Sequence, residues 1–580
     1  MTMSIKNYIN CNYLFLFMAS VVNLLFMHYQ ILLTISLESE CFKSSPFDNL
    51  IACLLDVTIL FLLSMLITWK KHKLSLVITF IITLLWSFCN VFYSRFFQQY
   101  LSLSSIGQAG NLTDDVVINS MLAGFKPIDV YYPLMLVVFF VVFRKVKQND
   151  LGSKSVKSTI FLWLLCLSMG LAVHSIYCFH PEMTFTYQLR KTIFTPTLYN
   201  SLWPNWTVFH KGSFRTLILD NISRDSVLDL SQEQKDMIEK ELSNNSQRIT
   251  RETLPHNIKN VIFIIVESYL ASSSDLVIGG KEITPNLNRL KRDSNVYYNG
   301  HMHPNVATGE SSDGQFIYMT GLLPLRSEIT VSKVKHNTLL GLPKLLKKKY
   351  PNMNCQMIIP TNPTLWEQQA MSESYGFDVL YSKQDYKREM NEEKSDDLSD
   401  EKIFAYASKK DQGLTSPFFL MILSMSMHHP YNSCVEHGFQ ISDNTIPEKY
   451  KNYLTTCHYT DIQIGKYLQH LKEKGIYDNS MIIIVSDHDA HLKFLDMEGK
   501  IAPDLPFYIV NGGLNKEDAW HGECNQLDVY TTILDIMGIE SKWRGLGHTL
   551  LNKKYEFSVT DKTQELSDWI NYSNFFSKNK

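Results

Sequence analysis

The chain changes character near residue 180, because its long apolar segments all lie before that point. A helix needs roughly 20 apolar residues to cross a bilayer. Four of the five segments reach that length, whereas the fourth is short and contains Pro133. The pattern predicts a five-helix transmembrane domain over residues 1–180, with helices at about Tyr13–Leu37, Leu50–Trp69, Leu74–Phe97, Ile128–Phe143 and Thr159–Cys178.

The charges between these segments predict the orientation. The second connection contains Lys70, Lys71 and Lys73, and the fourth contains Arg144, Lys145, Lys147, Lys154 and Lys157. The first and third connections are poor in Lys and Arg and contain the carboxylates Glu38, Glu40, Asp114 and Asp115. Loops rich in Lys and Arg stay in the cytoplasm. Five spans that start inside leave everything after Cys178 outside. We therefore expect a multi-pass protein of the cytoplasmic membrane with an extracytoplasmic soluble half.

The soluble half contains continuous apolar runs of strand length separated by helical patterns. Such runs are typical of strands that a parallel sheet buries on both faces. We expect strands at Asn260–Glu267, Met357–Ile359, Phe418–Leu423, Met481–His488 and Pro506–Val510, and helices at Leu339–Lys348 and Tyr453–Lys474. The alternation predicts an α/β domain with a mainly parallel sheet over residues 257–555. Residues 181–256 are interpreted as a connector and 556–580 as a C-terminal tail.

Two of the predicted strands end in potential metal ligands. Glu267 ends one, and Asp487 and His488 end another. Ligands of such sheets bind outside the carboxyl ends of the strands. Two carboxylates and an imidazole would make a mixed oxygen and nitrogen site for one divalent ion, either Mn²⁺ or Zn²⁺. Each residue alone is more often a strand-end cap or a surface charge, so the hypothesis depends on their coming together.

A nucleophile candidate lies between the first two predicted strands. Gly309 permits a tight turn, and Ser311 or Ser312 would then open a helix. A helix N-terminus presents unpaired N–H groups and favours an anion such as a phosphate. The same residues are also ordinary helix caps, which is the more frequent role of serine at such a position.

The overall composition narrows the classes of partner. The 55 basic and 57 acidic residues give a net charge of -2, which provides no reason to expect a nucleic-acid partner. The ten cysteines include no closely spaced pair of the zinc-binding kind. Four of them lie after residue 350, where an extracytoplasmic location would permit disulfides.

These motifs, in this order, resemble the alkaline phosphatase/sulfatase superfamily, and within it the lipoteichoic acid synthase type of phosphoglycerol transferase. The resemblance covers about residues 255–550 and extends to the five-span topology. It implies that Glu267, Asp487 and His488 bind the metal. It also implies that Ser311, in Ser311-Ser312-Asp313, is a metal-bound nucleophile in place of the family's threonine.

The resemblance also implies residues that contact the substrate. His428 is followed by a second histidine and then by a Pro-Tyr pair, and it matches the position that contacts the transferred phosphate. Trp366 matches an aromatic residue of the headgroup pocket. Gln368 stands where the family usually has an arginine. His491 and His521 follow predicted strand ends and are secondary candidates. The sulfatase signature of Pro and Arg after the nucleophile is missing, which argues against sulfate-ester hydrolysis.

The function implied is a metal-dependent transferase. It would move a phosphoglycerol-type headgroup from a membrane phospholipid to an extracytoplasmic glycan, lipid or polymer, through a covalent phosphoserine. One alternative is phosphoethanolamine transfer, which the same superfamily supports in proteins that are usually richer in disulfides. A second alternative is an inert scaffold that retains the fold, which the presence of a nucleophile and all three ligands disfavours.

Overall fold

The structure is a computed structural model that describes residues 11–34, 46–68, 72–97, 100–101, 124–144, 205, 208–209, 212–217, 228–243, 254–255, 257–326, 328–392, 398–432, 439–514 and 519–577. The described residues form two compact units, one before residue 218 and one from residue 228 onward.

The first unit consists of apolar helices: α1 (Cys11–Thr34), α2 (Pro46–Thr68), α3 (His72–Phe97) and α4 (Tyr131–Phe143), the last preceded by a 3-10 turn at Pro127–Val130. Three of them are long and apolar enough to cross a membrane, over Leu14–Thr34, Asn49–Thr68 and Lys73–Arg95. The predicted fourth segment is a shorter apolar helix, Pro127–Phe143. The predicted fifth, Thr159–Cys178, lies outside the described residues, so the count of five is not confirmed.

Polar contacts join these apolar helices. The amide of Asn23 donates to Thr83 Oγ1 at 3.3 Å and accepts from Tyr131 Oη at 2.9 Å, which links α1 to α3 and α4. Arg95 forms a two-pronged ion pair with Asp129 at 2.7 and 2.8 Å. Such contacts stabilise helix association where surrounding lipid removes the hydrophobic driving force.

The second unit is built on an eight-stranded sheet. The strands of the large sheet are β1 (Asn260–Val266), β4 (Val296–His303), β5 (Asn354–Ile358), β6 (Val379–Tyr381), β7 (Phe418–Leu423), β8 (Ser480–Ser486), β9 (Leu505–Val510) and β10 (Cys524–Asn525). Two further strands, β2 (Val277–Ile278) and β3 (Lys281–Glu282), form a separate two-stranded ribbon. The order in the large sheet is β10-β4-β9-β8-β1-β7-β5-β6. β9 pairs antiparallel with both of its neighbours, and the other pairs are parallel.

Helices cover this sheet. They are α5 (Gln232–Ser243), α6 (Pro285–Arg292), α7 (Ser311–Thr320), α8 (Thr330–Val334), α9 (Leu342–Lys349), α10 (Gln368–Tyr375), α11 (Lys383–Met390), α12 (Asp400–Asp411), α13 (Glu448–Glu473), α14 (Asp528–Ile536) and α15 (Asp561–Ser573). β1, β7 and β8 are buried along their whole length, because helices pack on both faces.

The α/β architecture and the mainly parallel sheet are confirmed, and five predicted strands appear as β1, β5, β7, β8 and β9. The sequence analysis missed β4, because its run Val-Tyr-Tyr-Asn-Gly-His-Met-His mixes polar and apolar residues. Residues set apart as connector and tail also pack on this core: Ile238 and Leu242 of α5 and Leu566 and Trp569 of α15 are buried in it.

Gly314 allows α7 to approach β8 closely. A Cβ atom at this position would overlap the backbone carbonyl oxygen of Asp487, which cannot move aside as a flexible side chain would. We expect Gly314→Ala to lower the free energy of unfolding by about 1–3 kcal/mol, the usual cost of overpacking a core.

The melting temperature of the purified protein measures this effect. Gly413→Ala is the matched control, because its Cβ atom would make an ordinary contact at 3.5 Å with Lys410 O. Equal melting temperatures for the two variants would contradict a tight contact between α7 and β8.

Candidate active site

The register of β1 and β8 brings their final residues to the same level. Val266 of β1 pairs with Ser486 of β8, and the two strands run parallel. The next residues, Glu267 and Asp487, therefore leave adjacent strands side by side at the carboxyl edge of the sheet. This placement follows from the sheet alone and is where α/β proteins bind ligands.

Glu267, Asp487 and His488 form a compact, buried group. One ligand atom from each lies within 4.8 Å of the others. His488 Nε2 is 3.2 Å from Glu267 Oε1 and 3.7 Å from Asp487 Oδ2. His488 Nδ1 lies 2.7 Å from the carbonyl oxygen of Asp489, which can only accept, so Nδ1 carries the hydrogen. Nε2 thereby faces the two carboxylates, the arrangement that metal-binding histidines use.

Neighbouring groups fix the orientation of these side chains. Asp487 Oδ1 accepts from the backbone N–H of Ser268 at 2.9 Å, and the Ser268 hydroxyl donates to Glu267 Oε1 at 2.9 Å. Gln526 Nε2 donates to the carbonyl oxygen of Asp487 at 2.6 Å. Ser424, just after β7, accepts from the N–H of Glu267. Supporting bonds of this kind hold ligand residues ready for a metal.

The charges of Glu267, Asp487 and His488 favour a positive charge near the two carboxylates. Burial, together with the charge of Glu267, raises the pKa of Asp487 to about 7. Burial alone would lower the pKa of His488, but the carboxylates of Asp487 and Glu267 raise it well above its ordinary value. Burial alone would raise the pKa of Glu267, but the hydrogen bond from His488 lowers it below its ordinary value. The raised pKa of His488 favours an imidazolium that offsets part of the carboxylate charge, and a divalent cation would supply the same kind of charge. The three residues fit such an ion.

Ser311, the first residue of α7, completes the cluster. Its Oγ lies 3.2 Å from Glu267 Oε2 and 3.2 Å from His488 Nε2. Ser312 instead donates to the carbonyl oxygen of Gly309 at 2.8 Å and is buried within the turn. Of the two serines considered, the structure thus brings Ser311 to the ligand group.

The turn before Ser311 is held in an unusual backbone conformation. Glu310 has a positive φ of 40°, which is rare for a residue other than glycine. Asp313 Oδ2 accepts from the backbone N–H groups of Ala307 and Gly309 at 3.0 and 2.9 Å, and so closes the loop from the opposite side. Strain of this kind persists where the surroundings hold it, which is frequent at functional sites.

The predicted substrate-contacting residues lie on other elements. His428 follows β7, is half-buried, and donates through Nδ1 to the carbonyl oxygen of His429 at 2.7 Å. Gln368 is the first residue of α10 and is buried. Trp366 lies two residues before this helix and has a positive φ of 52°. Gln368 Oε1 has no hydrogen-bond partner among the described residues.

Glu310 is the site residue that the sequence analysis missed. Its carboxylate lies 3.8 Å from His491 Nε2, and burial raises its pKa to about 8. Its position next to Ser311 was the available signal. His491, a secondary candidate, lies at the site, where burial lowers its pKa to about 3. His521 is exposed and lies against Tyr297 and the carbonyl oxygen of Tyr298.

Comparison with known proteins agrees with this geometry. The sulfatase family model matches residues 259–539, and the model of the lipoteichoic acid synthase N-terminal domain matches residues 1–198. The chain is thus similar to sulfatases over residues 259–539 and to lipoteichoic acid synthases in its N-terminal part. Among its relatives, lipoteichoic acid synthase 2 of Bacillus subtilis (strain 168) is 27% identical over 527 residues, which cover 84% of this chain and 76% of that protein.

A second relative and one solved structure complete the comparison. Lipoteichoic acid synthase of Staphylococcus aureus (strain USA300) is 26% identical over 483 residues, covering 78% of this chain and 71% of that protein. The integral membrane protein lipooligosaccharide phosphoethanolamine transferase A of Neisseria meningitidis has a TM-score of 0.55 at 13% identity, over 92% of this chain and 97% of that one. The predicted resemblance is confirmed, and the structural match shows a shared fold.

We expect Glu267, Asp487 and His488 to bind a metal without the help of Ser311. We expect Asp487→Asn to reduce the bound Mn²⁺ or Zn²⁺ of the purified protein at least about tenfold, since a neutral amide is a poorer ligand than a carboxylate. Ser311→Ala should retain the metal, because Glu267, Asp487 and His488 remain.

Elemental analysis after equilibrium dialysis gives the metal content. Asp443→Asn is a control at an exposed carboxylate remote in sequence from the group. Wild-type metal content in Asp487→Asn would count against this group as the metal site.

Proposed function

We propose that the chain transfers a phosphoglycerol-type headgroup from a membrane phospholipid to an extracytoplasmic acceptor, which is a glycan, a lipid or a polymer. One observation carries the proposal: the Ser311 hydroxyl at the N-terminus of α7 lies 3.2 Å from both a carboxylate and an imidazole of a metal-ligand group. A hydroxyl in this position can act as a nucleophile toward a phosphate that the helix N-terminus attracts.

The reaction has two displacements at phosphorus. In the first, Ser311 Oγ loses its proton and forms a bond to phosphorus, the bond from phosphorus to the diacylglycerol oxygen breaks, and that oxygen takes up a proton. In the second, an acceptor hydroxyl loses its proton and bonds to phosphorus, the bond from phosphorus to Ser311 Oγ breaks, and Ser311 takes up a proton. A divalent cation held by Glu267, Asp487 and His488, Mn²⁺ or Zn²⁺, would lower the pKa of the serine hydroxyl and offset charge on the phosphoryl oxygens.

The remaining site residues would bind the donor. His428 Nδ1 donates to a backbone carbonyl, so its Nε2 is proposed to face the phosphate and to donate a hydrogen bond to it when both ring nitrogens carry hydrogen. Trp366 is proposed to pack against the headgroup. The amide oxygen of Gln368, which has no partner within the described part of the chain, is proposed to accept from one of the headgroup's hydroxyls. Glycerol, with two free hydroxyls, offers such donors.

The proposed location is the outer face of the cytoplasmic membrane. The three helices of membrane-spanning length support a membrane anchor, and the basic second and fourth connections support an extracytoplasmic catalytic domain. A lipid donor and its enzyme must share one surface, which gives the anchor a purpose in catalysis.

Phosphoethanolamine transfer is the second candidate, and Glu310 is the observation that favours it. This carboxyl group lies beside the nucleophile and near Glu267 and Asp487. An ammonium group on the donor would favour the ionised form of this carboxyl group and pair with it, whereas a glycerol headgroup would offer it only hydroxyl groups.

Replacement of Ser311 tests the nucleophile. We expect Ser311→Ala to lower diacylglycerol release at least about 10⁴-fold, because the acceptor atom of the phosphoryl group is removed. Ser311→Thr should retain turnover, since it preserves the hydroxyl. Release is measured separately from phosphatidylglycerol and phosphatidylethanolamine vesicles, with Mn²⁺ or Zn²⁺ present.

The same assay separates the candidates. Release from phosphatidylglycerol alone supports the first proposal, and release from phosphatidylethanolamine alone supports the second. Substantial turnover by Ser311→Ala would remove Ser311 from the mechanism whichever donor is used.

Residue 368 tests the headgroup pocket. We expect Gln368→Arg to lower KM for an anionic donor by about tenfold, since a guanidinium adds charge-assisted bonds to phosphate. Gln369→Arg adds the same charge at the exposed neighbouring position and is the matched control. An unchanged KM and donor preference in Gln368→Arg would show that this residue does not face the donor.

A further inference from the structure

The loop that follows β7, residues 424–431, carries His428 and is named the β7 loop below. Its first residue, Ser424, still belongs to the sheet edge, because its N–H donates to the carbonyl oxygen of Ile265 at 2.9 Å. The Ser424 hydroxyl also accepts from the N–H of Glu267 at 2.9 Å. Beyond Ser424 the chain leaves the sheet, so the place of His428 depends on contacts with other elements.

Asp400, the first residue of α12, makes such contacts. Its Oδ1 accepts from the backbone N–H groups of Met425 and Ser426 at 2.7 and 3.0 Å. Its own N–H donates to Ser426 Oγ at 2.8 Å. Its Oδ2 accepts from the hydroxyl of Thr460 in α13 at 2.6 Å. Three of these four hydrogen bonds join α12 to the β7 loop, and the fourth fixes the carboxylate from the opposite side.

The carboxylate of Asp400 is fully buried. A buried carboxylate is energetically costly unless donors surround it, and bonds to a charged acceptor are stronger than bonds between neutral groups. Two consecutive backbone N–H groups that point at one oxygen also define the direction of the chain between them. Asp400 therefore fixes both the place and the direction of the β7 loop where it leaves the sheet.

The fixed part of the loop reaches His428 in one further step. The N–H of His428 donates to the carbonyl oxygen of Met425 at 2.9 Å, which closes a turn. Met425 thus bonds to Asp400 through its N–H and to His428 through its carbonyl group. The loop then extends to Tyr431, whose hydroxyl accepts from the N–H of His491 at 3.1 Å. The contacts of Asp400 are therefore transmitted to the histidines of the site.

A second buried carboxylate lies at the other end of α12. Asp411, the last residue of this helix, is buried to the same degree as Asp400, and His470 Nε2 of α13 lies 3.1 Å from its Oδ1. This contact joins α12 to α13. The two acids share one helix and one degree of burial and differ in the element that they contact, which makes them a matched pair.

We propose that Asp400 is a positioning residue that orients the β7 loop so that His428 faces the transferred phosphate. The inference rests on the proposed function, because it takes His428 to contact that phosphate. A misplacement of about 1 Å at a group that contacts the reacting atoms can cost about 100-fold in rate. The contribution of Asp400 passes through Met425 and Ser426 and needs no contact of its own with the donor or a metal.

A double-mutant cycle tests whether Asp400 acts through His428. The four full-length proteins are the wild type, Asp400→Ala, His428→Ala and the variant with both changes. Diacylglycerol release is measured with Mn²⁺ from vesicles of the donor that the wild type uses, phosphatidylglycerol or phosphatidylethanolamine. We expect Asp400→Ala to lower kcat/KM about tenfold when His428 is present and less than about twofold when it is absent, because coupled residues are not additive.

Asp411→Ala is the matched control. It removes an equally buried carboxylate from the same helix, so it should lower the melting temperature to a similar degree and keep kcat/KM within about twofold of the wild type. Asp400→Ala should retain the wild-type content of Mn²⁺, since Glu267, Asp487 and His488 are unchanged. Hydrogen exchange of the amides of Met425 and Ser426 should be faster in Asp400→Ala than in Asp411→Ala.

Two milder variants keep the test decisive if Asp400→Ala does not fold. Asp400→Asn preserves the shape and one oxygen that can accept from the two N–H groups, so we expect a loss of about threefold. Ser426→Ala removes the acceptor of the Asp400 N–H and should cause a loss of similar size. Both losses should disappear in the His428→Ala background.

Each other result overturns the inference. Equal losses in both backgrounds would show that Asp400 supports the fold as a whole, and an unchanged rate in His428→Ala would remove the residue through which it acts. A loss of Mn²⁺ would place the effect on the ligand group, and an equal loss in Asp411→Ala would assign it to any buried carboxylate of α12. If the wild type used neither donor, the proposed function would fail, whereas hydrogen exchange would still decide whether Asp400 holds the β7 loop.

Discussion

The active site depends on two carboxylates that the sheet forces together. The parallel register of β1 and β8 brings Glu267 and Asp487 side by side in a buried place, where their mutual repulsion is strong. That repulsion must be offset by positive charge, which His488 supplies in part. A cation at this edge would satisfy the carboxylates and draw in the Ser311 hydroxyl. The same requirement explains why each carboxylate has a second fixed bond, from Ser268, that sets its orientation.

Much of this arrangement could be predicted because it is local in sequence. A continuous apolar run ending in a charged residue marks both the strand and the ligand at its end, so β1 with Glu267 and β8 with Asp487 and His488 were identifiable together. Ser311 was likewise marked by a glycine-containing turn before a helix. What periodicity could not provide was the pairing of β1 with β8, which are more than 200 residues apart. The resemblance to a known family supplied the expectation that these strands meet.

The parts that escaped prediction depend on tertiary packing. β4 carries polar residues because it is only partly buried, with His301 exposed. β9 pairs antiparallel with β4 and β8, a direction that its composition does not encode. Residues 556–580 were interpreted as a C-terminal tail, and within them the apolar residues Leu566, Trp569 and Ile570 of α15 are buried. Glu310 was missed because its position next to Ser311 was its one signal in the sequence, and its approach to His491 depends on the fold.

Both units contain buried carboxylates, and the negative charge is balanced in a different way in each. At the sheet edge, buried carboxylates lie beside one imidazole and a hydroxyl, so their charge is balanced by groups that can also accommodate an ion and a phosphate. In α2, the Asp56 carboxylate is bonded to two backbone amides, a hydroxyl and a guanidinium of one continuous segment. A carboxylate whose bonds come from one peptide segment recognises that segment and has little capacity left for a ligand. Its contacts are those of a residue that anchors this segment to α2.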